Sequence, residues 1–218
     1  MFLTAVPLTA HPDTQPGSVP GVVCSLAWQD AGHWSASFIV DALPQSLRLP
    51  APVKRARADG LWQRTCFELF VFDEDSGSYM EFNFSPSGEW AAYAFDGYRT
   101  GMRPLDVKAP TITSSDPDQF RSGMEERLAD IGLDQEVIEG LLDAPTPDMP
   151  ATATRYALSA MLEDDAFDTT GRWWLGISAV IEEADSTRSY WALAHGPGEP
   201  DFHNPDCFAL EVPAPSAP

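Results

Sequence analysis

The chain has 218 residues, with 13 basic and 33 acidic side chains and a formal net charge of −20 at pH 7. This charge argues against nucleic-acid partners and anionic membrane surfaces, because both kinds of binding depend on lysine and arginine. The length is sufficient for one ample β-sandwich domain.

The cysteines and the N-terminal residues indicate the compartment. Cys24, Cys66 and Cys207 are odd in number and widely spaced, so they cannot form a complete set of disulfides. The first residues lack the basic segment of a secretory signal peptide, and no apolar run approaches the ~18 residues of a membrane helix. We therefore expect a cytoplasmic protein.

Short strand-like segments follow one another along most of the chain. Apolar and polar side chains alternate in them, and turn residues such as Gly, Pro, Asp and Asn separate them. The predicted strands are 2–9, 22–28, 33–40, 46–49, 66–72, 79–84, 90–95, 154–162, 173–181, 188–194 and 207–212. This pattern is typical of antiparallel sheets and not of a parallel α/β sheet.

One stretch, from about residue 116 to residue 150, has a different character. Apolar residues at helical spacing over 119–131 and 135–142 predict two short helices, and the closing prolines predict a loop. We interpret this stretch as an insertion. The expected fold is an all-β, antiparallel, jelly-roll-like β-sandwich, forming a single domain over residues 1–213 with a flexible tail at 214–218.

Residues 79–84 lie at the centre of a stretch rich in aromatic, acidic and amide side chains. The strand period of two separates their side chains into two faces. The apolar face has Met80, Phe82 and Phe84, and the other face has Tyr79, Glu81 and Asn83. We expect the first face to pack in the core. The second is either part of a ligand site or a solvated sheet surface.

No common catalytic signature occurs in the sequence, such as a phosphate-binding loop, a dinucleotide fingerprint, HExxH or a G-x-S-x-G elbow. What remains is a mixture of planar aromatics with carboxylate, amide, guanidinium and imidazole groups. The candidate ligand-binding residues are Trp62, Arg64, Glu68, Glu81, Asn83, Tyr98, Arg99, Trp191, His195 and His203. A pyranose has an apolar C–H face that stacks on an indole, and its hydroxyls need directional partners. The mixture therefore favours a sugar site.

Some of these candidates also have a purely structural explanation. Trp62 follows a loop and opens a predicted strand, so its alternative is a buried sandwich tryptophan. Glu68 lies in an otherwise apolar strand, where an unpaired carboxylate is costly to bury. Its partner in that case is Arg64 or Arg99.

At these positions the sequence resembles bacterial DOMON-like proteins related to family 9 carbohydrate-binding modules. The resemblance is carried by LWQRTCFELFVF (61–72), YMEFNFSPSGEWAAYAFDGYR (79–99), SYWALAH (189–195) and PDFHNPDCFAL (200–210). It covers most of residues 1–212, with the insertion excluded. It implies a β-sandwich that binds a ligand without catalysis: a sugar, or haem in some DOMON branches.

The resemblance also implies roles for single residues. The matched positions are Trp62 and Glu68 around the start of the core strand, and Glu81 and Asn83 as the polar pair before the 86–88 turn. Sugar-binding relatives have a second aromatic residue that completes a slot. By this resemblance, the expected counterpart here is Trp191 or the loop that contains Phe202 and His203.

Haem and metal ions are the alternative ligands. In haem-binding relatives Met and His are axial ligands, which would make Met80 with His195 or His203 the pair here. However, Met80 falls on the apolar face of its strand, which is typical of core. The four histidines show no ligand spacing for a transition metal, and the acidic turn 73–75, a candidate for calcium, needs no ion to form.

The expected function is a non-catalytic module that binds a carbohydrate or a sugar-containing small molecule, without a resident cofactor. Two other classes remain open. Glu68 and Glu81 are a candidate carboxylate pair of a glycoside hydrolase, and the acidic surface is a candidate scaffold for a basic protein partner. The sequence leaves the ligand's identity and the oligomeric state undetermined.

Overall fold

The computed structural model describes residues 2–28, 33–115, 155–163 and 172–213, together with residues 125, 133–135, 137 and 139. These residues contain twelve strands: β1 (Phe2–Ala10), β2 (Val22–Trp28), β3 (His33–Val40), β4 (Cys66–Asp73), β5 (Tyr79–Phe84), β6 (Trp90–Phe95), β7 (Arg103–Pro104), β8 (Thr111–Ser114), β9 (Tyr156–Glu163), β10 (Arg172–Glu182), β11 (Arg188–Ala192) and β12 (Leu210–Pro213). Short 3₁₀ helices occupy Pro44–Ser46, Leu61–Gln63 and Pro205–Cys207.

The strands form two antiparallel sheets that share β1. The first sheet has the order β8-β9-β3-β2-β1, and the second has the order β7-β6-β5-β4-β10-β11, with β12 also paired to β10. Strand β1 pairs with β2 over most of its length, and its last two residues pair with β11. The expected all-β antiparallel sandwich is confirmed.

The core lies between the two sheets and follows from the alternation of side chains. Buried apolar residues of β2, β3 and β9 face those of β4, β5 and β10 in one continuous cluster. The rings of Phe38 and Phe67 lie 4.9 Å apart across this interface, and those of Trp34 and Trp173 lie 5.8 Å apart. Met80 packs against the same cluster, as expected from its place in β5.

The outer face of the second sheet is also buried, which the sequence did not predict. A second apolar cluster there includes Phe70, Tyr79 and Phe95, and the segment 194–209 covers it with Phe202 and Phe208. As a result, every residue of β6 and the first six of β4 are buried. The polar face of β5 is therefore not a solvated sheet surface.

Several predicted elements differ from those observed. Residues 46–49 make a single bridge, Leu47 to Glu183, and no strand. The last strand begins at Leu210, because Pro205 opens a 3₁₀ turn that the Asn204 side chain caps. Strands β7 and β8 were not predicted.

Only part of the predicted insertion can be compared with the structure. Glu125, Gln135, Val137 and Glu139 are helical, and the rest of the helices predicted at 119–131 and 135–142 lies outside the described residues. The turn at 29–32 and the tail at 214–218 lie outside them as well. Among the described residues, no helix has the length and apolar character needed to cross a membrane.

Candidate functional site

A polar patch lies on the buried outer face of the second sheet. Strand pairing places Glu68 of β4 opposite Asn83 of β5 on one side and opposite Ser178 of β10 on the other. Glu81 lies two residues before Asn83, so the strand period puts it on the same face, diagonal to Glu68. All four side chains are buried, with 3% of Glu68 and 5% of Glu81 exposed.

Few hydrogen bonds reach the two carboxyl groups. Asn83 Nδ2 donates to Glu81 Oε1 at 2.6 Å, and the Ser178 hydroxyl donates to Glu68 Oε2 at 3.1 Å. An ionised carboxylate offers about four lone-pair sites. Both carboxyl groups therefore have lone pairs that accept no hydrogen bond from the described residues.

Burial changes the protonation of these groups. Burial, followed by the negative charge of Glu81, raises the pKa of Glu68 to about 8. Burial also raises the pKa of Glu81, although the Asn83 hydrogen bond and the charge of Arg99 oppose it. At pH 7 Glu68 therefore keeps its proton and can donate a hydrogen bond.

His203 brings an imidazole to the patch from the covering segment. Its Nδ1 lies 2.8 Å from the Tyr79 hydroxyl, and its Nε2 lies 3.7 Å from Glu81 Oε2. The ring meets Phe70 and Phe95 edge-on, with centroids 5.3 and 5.2 Å away. Burial, together with the charge of Arg99, lowers the pKa of His203 to about 4. The imidazole is neutral at pH 7, so its contact with Glu81 is polar and not an ion pair.

Asp201 links the covering segment to the turn after β6. Its Oδ1 accepts hydrogen bonds from Arg99 Nη2 at 2.7 Å and from the His203 backbone N–H at 3.1 Å. Its Oδ2 accepts one from the Tyr98 hydroxyl at 2.6 Å. Although burial opposes it, the hydrogen bonds from Tyr98 and Arg99 keep the pKa of Asp201 below its ordinary value.

Arg99 itself is held by backbone geometry. It has a positive φ of 51°, an uncommon conformation for a residue with a side chain. Its backbone N–H donates to the Tyr79 hydroxyl at 3.2 Å. The turn therefore fixes the guanidinium above the sheet, where half of the side chain remains exposed.

Two cavities open over the patch and share four residues. One, of about 510 Å³, is lined by Glu68, Tyr190 and Phe202 among others, and the other, of about 520 Å³, by Asn83 and Tyr93 among others. Trp62, Glu81, Arg99 and His203 line both. Each volume lies in the range of small-molecule sites.

Trp62 is the aromatic side chain exposed at this shared wall. It lies in the 3₁₀ helix Leu61–Gln63, which follows Gly60 in the left-handed conformation at φ 72°. It does not open a strand as predicted, and it is not a buried sandwich tryptophan, because 53% of the residue is exposed.

The structure brings together most of the residues that the sequence singled out. Those that line the cavities are Trp62, Glu68, Glu81, Asn83, Arg99 and His203. Tyr98 lies beside them and holds Asp201. That these side chains contact a ligand stays a prediction.

Three candidates lie elsewhere. Arg64 lies 3.7 Å from the buried carboxylate of Glu182, so it is not the partner of Glu68. Trp191 is buried in the core between the sheets, where its Nε1 donates to the Ser189 hydroxyl. His195 follows β11, which ends at Ala192, and its Nε2 lies 2.8 Å from the Thr9 carbonyl oxygen.

Some residues of the site were missed. Tyr79 shares the polar face of β5 with Glu81, and that alternation could have found it. Asp201 lies two residues before His203 in the quoted PDFHNPDCFAL segment. Ser178 could not be found, because its contact with Glu68 depends on a pairing across 110 residues.

The structure separates Met80 from His203, one of the two residue pairs named for haem, and gives the acidic turn internal partners. Met80 packs against the core on the opposite face of β5 from Tyr79, which contacts His203. In the acidic turn, the Asp73 carboxylate accepts hydrogen bonds from the Asp75 backbone and the Ser76 hydroxyl. Within the described part of the chain, no group of three or more His, Cys, Asp or Glu is placed to hold a metal ion.

Comparisons with known proteins identify structural neighbours but no family. No family model matches the sequence, and no curated protein matches it. The fold is similar to that of a candidate carbohydrate-binding protein from Bacteroides uniformis, with a TM-score of 0.59 and 16% identity over 95% of this chain and 84% of that chain. At this identity, the likeness shows the fold alone.

Two family 9 carbohydrate-binding module structures from Caldicellulosiruptor kristjanssonii are more distant. The one in complex with cellotriose has a TM-score of 0.47 and 9% identity, over 92% of this chain and 77% of that chain. The one in complex with glucose has a TM-score of 0.42 and 7% identity, over 85% of this chain and 72% of that chain.

Proposed function

We propose that the protein is a non-catalytic binding module of the DOMON-like type, which recognises a carbohydrate or a sugar-containing small molecule on the outer face of its second sheet. The observation that carries this proposal is the exposed indole of Trp62 on the wall shared by two cavities. The buried polar side chains of Glu68, Glu81 and Asn83, which lie on strands, line the same cavities.

The chemistry of the patch suits a sugar. An indole offers a flat apolar surface for the C–H face of a pyranose. Protonated Glu68, the Asn83 amide, Arg99 and the neutral His203 together supply both donors and acceptors for hydroxyl groups. Their positions are set by strand pairing and by Asp201, so little ordering is needed on binding.

Two likenesses support the same class of ligand. The fold is similar to that of a candidate carbohydrate-binding protein at a TM-score of 0.59. The sequence around the site resembles DOMON-like proteins related to family 9 carbohydrate-binding modules. This resemblance assigns ligand contacts to Trp62, Glu81 and Asn83, and in the structure Trp62 is exposed while Glu81 and Asn83 are buried and hydrogen-bonded to each other.

Isothermal titration calorimetry against a panel of neutral and amino mono- and oligosaccharides tests the proposal. We expect at least one saturable binding isotherm with the wild-type chain. An Asn83→Ala variant should weaken it about tenfold, because Asn83 supports Glu81 and lines a cavity. The control Leu43→Ala, at an exposed apolar residue outside both cavities, should leave it unchanged. No saturable heat with any sugar would contradict the proposal.

One observation favours a second candidate, glycoside hydrolysis. Glu68 and Glu81 line the same cavity, and the raised pKa of about 8 keeps Glu68 protonated as a general acid requires. Release of nitrophenol from nitrophenyl glycosides, lost in both Glu68→Gln and Glu81→Gln, would establish it. Sugar binding without any release would exclude hydrolysis of those substrates.

A further inference from the structure

We propose that the cavity lined by Glu68 selects a sugar bearing a positively charged amine, that is, an amino sugar. The inference rests on the proposed function and specifies its substrate class. It arises from an imbalance of charge in this cavity that a neutral sugar would leave uncorrected.

The described residues that line this cavity are strongly acidic. They include five carboxyl groups, those of Asp13, Glu68, Glu81, Glu199 and Asp201, against a single arginine, Arg99. Even with Glu68 protonated, four carboxyl groups remain against this one arginine. Arg99 already forms an ion pair with Asp201 at 2.7 Å. A cleft lined by one sign of charge attracts ligands of the opposite sign.

The burial of the two deepest of these carboxyl groups is a further observation. Glu68 and Glu81 are at least nine-tenths buried, and each receives a single hydrogen bond from the described residues, from Ser178 and Asn83 respectively. An ionised carboxylate that is buried with unused acceptors is costly. An ammonium group carries three donors and a positive charge, so it would satisfy both groups together.

The protonation of Glu68 agrees with this geometry. Its pKa of about 8 means that the positive charges of the described residues, Arg99 above all, do not compensate the negative charge of ionised Glu68. A bound ammonium would do so. The ligand supplies the missing cation.

The charges that line the second cavity favour a sugar as the carrier of the amine. Two carboxyl groups, those of Asp59 and Glu81, face two arginines, Arg99 and Arg103, among the described residues that line it. This lining, with equal numbers of carboxyl and guanidinium groups, suits a neutral, hydroxyl-rich part of the ligand. Trp62 forms part of both walls, so a ring stacked on it reaches both environments.

Calorimetric titration with glucosamine, N-acetylglucosamine and glucose at about pH 6.5, where a sugar amine carries a proton, tests the inference. We expect glucosamine to bind at least about tenfold more tightly than the other two. The preference for glucosamine over glucose should be largely lost in Glu68→Gln and in Glu81→Gln. Glu211→Gln, which removes an exposed carboxylate paired with Arg172 outside the cavities, should retain the preference.

The outcomes separate this inference from the proposed function. Equal or weaker binding of glucosamine relative to glucose would overturn the amino-sugar inference and leave sugar binding in place. Equal affinity for ethanolamine and glucosamine would overturn the role of the ring. A preference undiminished in both glutamine variants would overturn the role of the two carboxyl groups. Failure of every sugar to bind would overturn both proposals.

Discussion

At the scale of single residues, Glu68 is the least expected feature of the molecule. It lies in an apolar strand with 3% of its surface exposed, and its hydrogen bond from Ser178 offsets only part of the cost of burial. Such a carboxyl group destabilises the fold when it ionises. A residue that costs stability in this way is a candidate for function.

The raised pKa of Glu68 predicts how stability depends on pH. Its folded pKa of about 8 exceeds the ordinary 4.5, so between these values the folded state binds more protons and rising pH favours unfolding. His203 acts in the opposite direction, but only between its folded pKa of about 4 and 6.5. The window from pH 6.5 to 8 therefore lies above the titration of His203 and reports on Glu68 together with Glu81, whose pKa burial also raises.

In urea denaturation, the wild-type chain should lose about 1–2 kcal/mol of unfolding free energy across that window. Glu68→Gln, which resembles the protonated side chain, should lose much less. Glu211→Gln, at an exposed ion pair, should follow the wild type. An equal loss in Glu68→Gln and the wild type would show that this carboxyl group is ionised in the folded protein at neutral pH.

Asp201 should control the affinity for a neutral sugar. Asp201→Asn removes the negative charge that holds Arg99 and one of the two carboxylate oxygens, whereas Tyr98→Phe removes only one hydrogen bond to the same carboxylate. We expect about a tenfold loss of affinity in Asp201→Asn and a few-fold loss at most in Tyr98→Phe, measured by calorimetry. Equal losses in the two variants would mean that Arg99 does not depend on Asp201.

At the scale of elements, β10 supports the segment that covers the site. Gly176 lies on its outer face, where a Cβ atom would come within 2.7 Å of Phe208 Cδ1 and 3.2 Å of Phe70 Cβ. The absence of a side chain thus lets Phe208 pack onto the sheet. The same segment carries Asp201 and His203 to the patch.

Gly176→Ala should therefore displace Phe208 and loosen the covering segment. We expect a loss of about 1–3 kcal/mol in unfolding free energy, together with weaker sugar binding. In the control Gly21→Ala the new Cβ meets no atom within 4 Å, so stability should change by less than about 0.5 kcal/mol. Chemical denaturation and calorimetry of the two variants make the comparison. If Gly176→Ala is destabilised but binds sugar as tightly as the wild type, sugar binding does not depend on the packing of the covering segment.

At the scale of the whole molecule, the sandwich could be predicted because alternation is a local property. Residues 22–28, 33–40, 79–84 and 90–95 have the observed bounds, since turn residues flank strands with clear apolar character. The segment 46–49 failed because it also alternates but lies outside both sheets, with one bridge to Glu183. The alternation of side chains within a segment does not show whether another strand lies beside it to form hydrogen bonds.

The candidate site was predictable in part for the same reason. Glu81 and Asn83 are neighbours on one strand face, so their association follows from the sequence. Trp191 was misplaced because both faces of the second sheet are buried, and alternation cannot tell the core face from the face under the covering segment. The link from Asp201 to Arg99 spans 102 residues and depends on the tertiary fold.

The central claim is that Trp62 is the stacking surface of a sugar site. The most direct measurement is a calorimetric titration of the wild type, Trp62→Phe and Trp62→Ala against the sugar panel. We predict a saturable heat of binding in the wild type, affinity reduced a few-fold but retained in Trp62→Phe, which keeps an aromatic face, and no saturable heat in Trp62→Ala. Saturable heat with undiminished affinity in Trp62→Ala, or none in the wild type with any sugar, would contradict the claim.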